Sequence, residues 1–231
     1  MSLIRLAALV MLLATITSKP VTQLKLSKYL KGVDMCSTCV TFGNENLSQL
    51  YQNVTGPTIP SNCTVLCKDL ADSLTYQICI YLCSGAGFNP FISDVQKANP
   101  DPIYFCELLN SCPTIVGGAA SISNTYVVPT SGSVGTTFKV EMTFAVTNTT
   151  GTGQVKLTVN PPDTTLKPFS SSYLNEGFEI GSYSAKFEIK TNSSYPVGNY
   201  TGTLQVCSGT CGMTNPNEAT LSSANVKFTI K

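Results

Sequence analysis

The sequence has 231 residues, of which only 12% are charged, about half the share usual in soluble proteins. Its 14 basic and 13 acidic residues nearly balance, and it contains no histidine and no tryptophan. Nucleic-acid binding needs clustered basic side chains and catalytic triads need histidine, so this composition excludes both classes. Zinc sites built on histidine are excluded for the same reason.

The start of the chain has the pattern of a secretory signal peptide. Arg5 precedes an apolar run from Leu6 to Leu13, and small or hydroxylated residues continue to Ser18. A run this short does not span a bilayer, but its length suits an export signal. We therefore predict a signal peptide over residues 1–18, an N-terminal segment over 19–31, and a soluble mature protein that is secreted and extracellular.

The cysteines and glycosylation motifs agree with this location. Ten cysteines, an even number, suit the oxidising environment outside the cell. Six Asn-x-Ser/Thr triplets are acceptor motifs for N-linked glycans in secreted proteins. The predicted glycosylation sites are Asn46, Asn53, Asn62, Asn148, Asn192 and Asn199. Asn62 is the weakest of them, because its neighbour Cys63 is expected to form a disulfide.

Composition and periodicity change near residue 113, which predicts two domains. Eight of the ten cysteines come before this point, and apolar residues recur at helical spacing between residues 33 and 51, with Gly43 as a weak point. Asn89-Pro90 and Asp101-Pro102 each place a capping residue before a proline at the first helical position. We predict a helical domain over residues 32–113 and a short, flexible linker over 114–121.

The second half, residues 122–231, alternates between apolar and polar side chains, as half-buried strands do. Phe138, Val140 and Met142 alternate with Lys139 and Glu141, for example. Turns rich in proline and glycine separate about seven such segments. Residues 121–231 also hold 33 serines and threonines, which suits strands and surface loops. We predict an antiparallel β-sandwich of immunoglobulin-like kind, so that the whole chain is a two-domain α + β protein.

The eight cysteines of the first half permit many pairings, and spacing alone does not choose among them. Helix geometry narrows the choice. Cys63 and Cys67 are one helical turn apart, as are Cys79 and Cys83, so each pair shares a helix face. Two antiparallel helices then bring the inner and outer members together, and the remaining cysteines nest around them. The predicted pairs are Cys36–Cys112, Cys39–Cys106, Cys63–Cys83, Cys67–Cys79 and, as a local bridge, Cys207–Cys211.

This framework resembles the saposin B-type module. Cys36-x2-Cys39 near the start, Cys106-x5-Cys112 at the end and the central Cys67 and Cys79 match that family in order and approximate spacing. The extra Cys63–Cys83 pair departs from the family pattern and would stiffen the hinge that saposins open for lipid. The resemblance implies, as an alternative function, a lipid-binding or membrane-interacting protein. The acyl chains of a bound lipid would contact apolar side chains of the helices. The simpler interpretation is that these side chains form the core of the domain. The residues are Val33, Val40, Leu47, Leu66, Leu70, Phe91, Val95, Phe105 and Leu108.

Over nearly all of the mature chain, the sequence resembles the countin family of social amoebae. The resemblance rests on the signal peptide, the helical module with its extra cysteine pair, and the segments VTNTTGTGQ, PPD and VCSGTCG. It implies a secreted signalling or interaction glycoprotein in a multisubunit counting factor, which limits the size of a multicellular group through cell adhesion and motility. The implied partners are other secreted proteins of such a complex or a cell-surface receptor.

Catalysis is the least favoured class of function. Without histidine, a pair of carboxylates is the remaining acid–base option. Asp69 and Asp72 are three residues apart and would share one helix face, although solvated surface is the simpler interpretation. We therefore expect no catalytic, metal-binding or cofactor-binding residues. The carboxylates considered are Asp34, Glu45, Asp69, Asp72, Asp94, Glu107, Glu141, Glu179 and Glu188.

Overall fold

The computed structural model describes residues 34–70 and 72–231, so the predicted signal peptide and N-terminal segment lie outside the described residues, as does Val33. Within the described part, helices come first and strands follow, which confirms an α + β chain with a cysteine-rich helical region. The helices are α1 (Met35–Thr55), α2 (Cys63–Cys67), α3 (Ser73–Ala86), α4 (Phe88–Ala98) and α5 (Pro102–Leu108). The strands are β1 (Ala119–Val128), β2 (Ser131–Gly132), β3 (Thr137–Asn148), β4 (Gly153–Asn160), β5 (Phe169–Asn175), β6 (Gly181–Lys190), β7 (Gly198–Ser208) and β8 (Ala219–Ile230).

Aspartate side chains determine where three of these helices begin. Asp34, Asp72 and Asp101 precede α1, α3 and α5, and the Oδ1 atom of each accepts two backbone N–H groups of the first turn. The prediction that Asn89 caps a helix is wrong, because α4 already begins at Phe88. Gly87, with a φ of 88°, ends α3 and starts α4 directly, and this left-handed conformation favours glycine.

Helix α1 continues through Gly43, the residue that weakens the helical pattern in the sequence. A Cβ atom at Gly43 would lie 2.9 Å from the Cβ of Pro102, the first residue of α5. The absent side chain therefore allows α5 to lie directly against α1. The cost in helix propensity is offset by this close packing, since Phe105 one turn further along α5 is fully buried.

The strands of the β region form two sheets that pack face to face. One sheet has the order β1-β3-β6 and the other the order β2-β8-β7-β4-β5, and all neighbours are antiparallel except β2 and β8. Phe138, Val140 and Met142 of β3 are buried, whereas Lys139 is exposed. Across the core, the ring centroids of Phe138 and Phe228 are 4.6 Å apart. The alternation in sequence thus separates a core face from a solvent face.

The connection between the helical and β regions is shorter than the predicted linker of residues 114–121. Ala119 pairs with Asn148 and Ser121 pairs with Ala145, so the last residues of that segment belong to β1. Backbone pairing with β3 adds hydrogen bonds that a flexible linker would leave to water. Strand β1 therefore begins almost immediately after the helical region ends.

Candidate interaction site

The cysteines form five disulfides, with the same pairing that the helix geometry predicts. Cys63–Cys83 and Cys67–Cys79 join α2 to α3, while Cys39–Cys106 joins α1 to α5. Cys36–Cys112 connects α1 to the residues that lead into the β region. Cys207–Cys211 closes a short loop after β7. Among the described residues no cysteine is free, so these side chains have a structural role.

The helical and β regions meet at a polar junction around Asp101, whose side chain is only 1% exposed. Its Oδ1 atom accepts the backbone N–H groups of Ile103 and Tyr104, at 3.0 and 3.1 Å, and the hydroxyl of Thr210 at 2.6 Å. Its Oδ2 atom accepts the amide of Asn215 at 2.5 Å. These donors replace the water lost on burial, so one carboxylate caps α5 and holds the loop after β7.

Glu107 provides a second contact between α5 and the same loop. Its Oε2 atom accepts the side-chain amide of Asn217 at 2.8 Å. Burial raises the pKa of Glu107 above its ordinary value, the hydrogen bond from Asn217 opposes that change, and the charge of Asp101 adds to it. The loop that contains Asn217 is anchored at its start by Cys207–Cys211. The junction is therefore built from buried acidic residues on one side and neutral donors on the other.

Asp34 and Glu176 form another contact across the junction. Both accept the backbone N–H of Ser37, at 3.3 Å to Asp34 and 3.2 Å to Glu176. Asp34 caps α1, whereas Glu176 lies between β5 and β6. Burial, together with the hydrogen bond to Asp34 and its charge, raises the pKa of Glu176 to about 7. The hydrogen bond from Glu176 lowers the pKa of Asp34, so Glu176 is the group that holds a proton.

We predict that the folded protein loses stability as the pH rises from about 4.5 to about 7. The pKa of Glu176 is about 7 in the folded state against an ordinary value of 4.5, so between these values the folded chain holds a proton that the unfolded chain has released. The raised pKa of Glu107 changes the stability in the same direction. The lowered pKa of Asp34 changes it in the opposite direction, at lower pH. Thermal unfolding should give a lower Tm at the higher pH, and Glu176→Gln should reduce the difference.

Glu179→Gln is the matched control for this measurement, because Glu179 is an exposed carboxylate in the same connection between β5 and β6. It should leave the pH dependence of the Tm unchanged. A Tm that rises with pH, or an equal effect of the two glutamine variants, would contradict the assignment of the proton to Glu176.

One predicted glycosylation site needs correction. Asn46 is 5% exposed, and its side-chain amide donates to the carbonyl of Phe42 at 2.9 Å. A glycan on that nitrogen is incompatible with the packing of α1. The other motifs remain accessible: Asn53 is half-buried, and Asn62, Asn148, Asn192 and Asn199 are exposed.

The carboxylates considered for catalysis are distributed over the molecule. Asp69 and Asp72 do not share a helix face, because α2 ends at Cys67 and Asp72 caps the start of α3. On the exposed face of the first sheet, Glu141 and Glu188 form ion pairs with Lys186 and Lys139. Asp94 lies next to Lys97 on α4. Glu45 is exposed on α1, and Glu179 is exposed after β5.

Eight of the nine apolar residues proposed to contact acyl chains are among the described residues, and they lie in the core of the helical region. Seven of the eight are buried, and Leu108 packs partly buried against them. Within residues 34–70 and 72–231, no single helix has the length and hydropathy to cross a bilayer, although α3 and α4 pass that test together with a bend of 109°. The same part of the chain contains no cluster of three metal-ligating side chains.

Four residues of the junction were not predicted from the sequence: Glu176 and the donors Thr210, Asn215 and Asn217. The segment that follows Cys211 contains Asn215-Pro216-Asn217, which predicts a turn. Its partner Asp101 lies more than one hundred residues earlier, with a separation of 109 from Thr210. No periodicity in the sequence connects residues so far apart, so the turn is predictable but its contact is not.

Comparison with known proteins matches both regions to one family. Residues 34–110 match the Countin N-terminal domain and residues 120–231 match the Countin C-terminal domain. Countin-3 of Dictyostelium discoideum is 30% identical over 225 residues, covering 91% of this chain and 96% of the relative. Countin-1 of the same organism is 32% identical over 209 residues, covering 88% of this chain and 80% of the relative.

Similar solved structures are distant. A cycloisomaltooligosaccharide glucanotransferase of Paenibacillus sp. is 11% identical with a TM-score of 0.36, covering 49% of this chain and 14% of the enzyme. A β-glucosidase of Listeria innocua is 9% identical with a TM-score of 0.34, covering 49% of this chain and 16% of the enzyme. TM-scores this low carry no conclusion about function.

Proposed function

Because the chain belongs to the countin family, we propose that it is a secreted, non-enzymatic signalling glycoprotein. It limits the size of a multicellular group by modulating cell adhesion and motility, as part of an extracellular complex. The observation that carries this proposal is the match over both regions, which includes 96% of the length of Countin-3. Its partners are other secreted proteins or a cell-surface receptor.

The junction supports an interaction role for the two regions together. Asp101 and Glu107 already bind donors of the β region, so these buried carboxylates hold the molecule together and are not exposed to a substrate. Residues 34–231 form one compact unit. A partner protein therefore meets a combined surface in which helical and β elements keep fixed positions.

We also propose that the helical region is a saposin B-type module and the β region an immunoglobulin-like sandwich. The nested disulfides support the first assignment. For the second, the order β1-β3-β6 corresponds to strands A, B and E, and β8-β7-β4-β5 to G, F, C and C′. The Tyr200 hydroxyl donates to the carbonyl of Pro196 at 2.8 Å near the start of β7, as in a tyrosine corner.

Complementation tests the proposed function. Cells that lack the gene should form groups of abnormal size, and purified protein added to the medium should restore normal size and lower cohesion among cells. The same protein after reduction and alkylation serves as the control, because it keeps its composition but loses the folded surface. Restoration by the reduced protein, or no response to the folded protein, would contradict a signalling role.

A second candidate is a membrane-interacting protein, favoured by the surface of α3. From Ser73 to Ser93 the chain has no charged residue, and Leu74 and Tyr81 on α3 are 56% and 45% exposed. Apolar side chains on an uncharged helix suit contact with the interface of a neutral bilayer. Leakage from phosphatidylcholine vesicles that Leu74→Ser abolishes, together with loss of cell activity in delipidated protein, would favour this candidate over signalling.

A further inference from the structure

The two sheets of the β region have four edge strands, and one of these edges lacks protection. The edges are β1 and β6 in the first sheet and β2 and β5 in the second. An edge strand presents unpaired backbone N–H and C=O groups to any other strand, and natural proteins protect such edges with charges, bulges, short length or a covering element. Strand β5 has none of these protections.

The other three edges are each protected. The register of β1 with β3 shifts twice, and the N–H of Ile122 donates to the hydroxyl of Ser222 on β8 at 3.0 Å. Strand β2 has only two residues. The exposed face of β6 carries three charged residues, which are Lys186, Glu188 and Lys190. Pairing with a foreign strand is therefore unfavourable at all three edges.

Strand β5 is regular, neutral and free along its outer edge. Its seven residues, Phe169–Asn175, include no charged residue and no proline. All seven pair with β4 in one register, without a bulge. Within the described part of the chain, no backbone group outside β4 forms a hydrogen bond with the backbone of β5. The outer edge therefore offers a row of donors and acceptors to an added strand.

The core face of β5 also lacks full cover. Tyr173 pairs with buried Val155 and therefore lies on the side of the sheet that faces the core. Its ring packs against Phe187, with centroids 5.0 Å apart, yet the side chain is 50% exposed. Ser171, two residues earlier on the same face, is exposed as well. A further strand beside β5 would remove apolar surface of this ring from water.

We propose that β5 pairs with β5 of a second copy of this chain, antiparallel and about a two-fold axis near Ser172, the middle residue of the strand. The two five-stranded sheets then form one continuous sheet. A two-fold contact of this kind is self-complementary, so every interaction in it occurs twice. Because the strand is uncharged, no like charges meet when it faces itself. The pairing concerns two copies of one chain and does not depend on the proposed signalling role.

The charges beside β5 favour the antiparallel arrangement. Lys167 lies two residues before the strand and Glu179 four residues after it, and both are exposed. Neither forms an ion pair among residues 34–70 and 72–231. Asp163 accepts the N–H of Thr165 within its own turn, and Glu176 is already bonded to α1. Antiparallel pairing brings the start of one β5 beside the end of the other, so Lys167 of each copy approaches Glu179 of the second copy.

Sedimentation equilibrium of the purified full-length protein tests this proposal. At about 100 μM we expect twice the mass measured in denaturant, and dissociation on dilution. A wild-type protein that keeps the mass of one chain at that concentration would overturn the proposal, even if a strand of a different protein pairs with β5.

Two serines in one row of the second sheet provide matched variants. Ser172 lies on the exposed face of β5, and Ser223 lies in the same row on β8, three strands away. Ser172→Lys places two positive charges beside the axis and should weaken association by about tenfold or more, whereas Ser223→Lys should leave it unchanged. Ser172→Glu should also weaken association, and an equimolar mixture of the lysine and glutamate variants should restore it.

Lys167→Glu decides the result if the Ser172 variants do not fold, because Lys167 is exposed in a loop. This variant brings like charges together at both ends of the paired strands and should also weaken association. Equal association constants for Ser172→Lys and Ser223→Lys, or a mixture of the lysine and glutamate variants that stays monomeric, would contradict β5 as the contact.

Discussion

Replacement of Asp101 by alanine is expected to lower the free energy of unfolding by about 3–5 kcal/mol. The variant removes a fully buried acceptor and leaves Thr210 and Asn215 without their partner. It also removes the cap of α5, where two backbone N–H groups lose their acceptor. Urea-induced unfolding monitored by circular dichroism measures the change.

Asp72→Ala is the matched control, because Asp72 also accepts two N–H groups at a helix start but makes no contact with the β region. Its loss of stability should be clearly smaller. The difference between the two alanine variants isolates the contribution of the junction. Equal losses would show that Asp101 acts only as a helix cap.

Removal of the Cys36–Cys112 bridge is expected to cost about 2.5–3 kcal/mol. This disulfide spans 76 residues, but Cys39–Cys106 is nested inside it and stays in place, so in the unfolded chain Cys36–Cys112 closes a loop that runs only through residues 36–39 and 106–112. Chain entropy gives about 2 kcal/mol for the bridge Cys207–Cys211, which spans only 4 residues. Both double alanine variants are compared by urea unfolding without reductant.

The order of the two losses is the critical result. If the double variant of Cys207 and Cys211 proved less stable than that of Cys36 and Cys112, loop entropy would not be the dominant effect. The short bridge would then act mainly by presenting Thr210 to Asp101. Adding Asp101→Ala to the short-bridge variant resolves this, because a contribution made through the junction disappears in that background.

Local regularity made the disulfides and the strands predictable. Cys63 and Cys67, one turn apart on a helix, face a second such pair, and this geometry admits one ladder of bridges. Along β3, strict alternation identifies the buried residues directly, since a strand has a period of two. Both inferences depend on residues close in sequence or on one simple pairing rule.

The sequence misled at Asn46 and gave no sign of the contact made by Glu176, because both depend on how helices and strands pack against each other. Asn46 matches a glycosylation motif, but it lies four residues after Phe42 and four before Leu50, so it falls on the buried face of α1. The helical period already contained this signal. Glu176 had no such signal, because its contact with α1 arises only when the two regions dock.

The bridge between Cys36 and Cys112 also determines how the molecule transmits force. Its Cα atoms are 4.6 Å apart, although 76 positions of chain separate them. Tension applied along the chain from the N-terminal side therefore passes through one covalent link into the short connection and strand β1. The helices between the two cysteines bear none of this load, and their extension is blocked until that link is reduced. Under such tension the helical region is mechanically shielded, and the β region takes the strain.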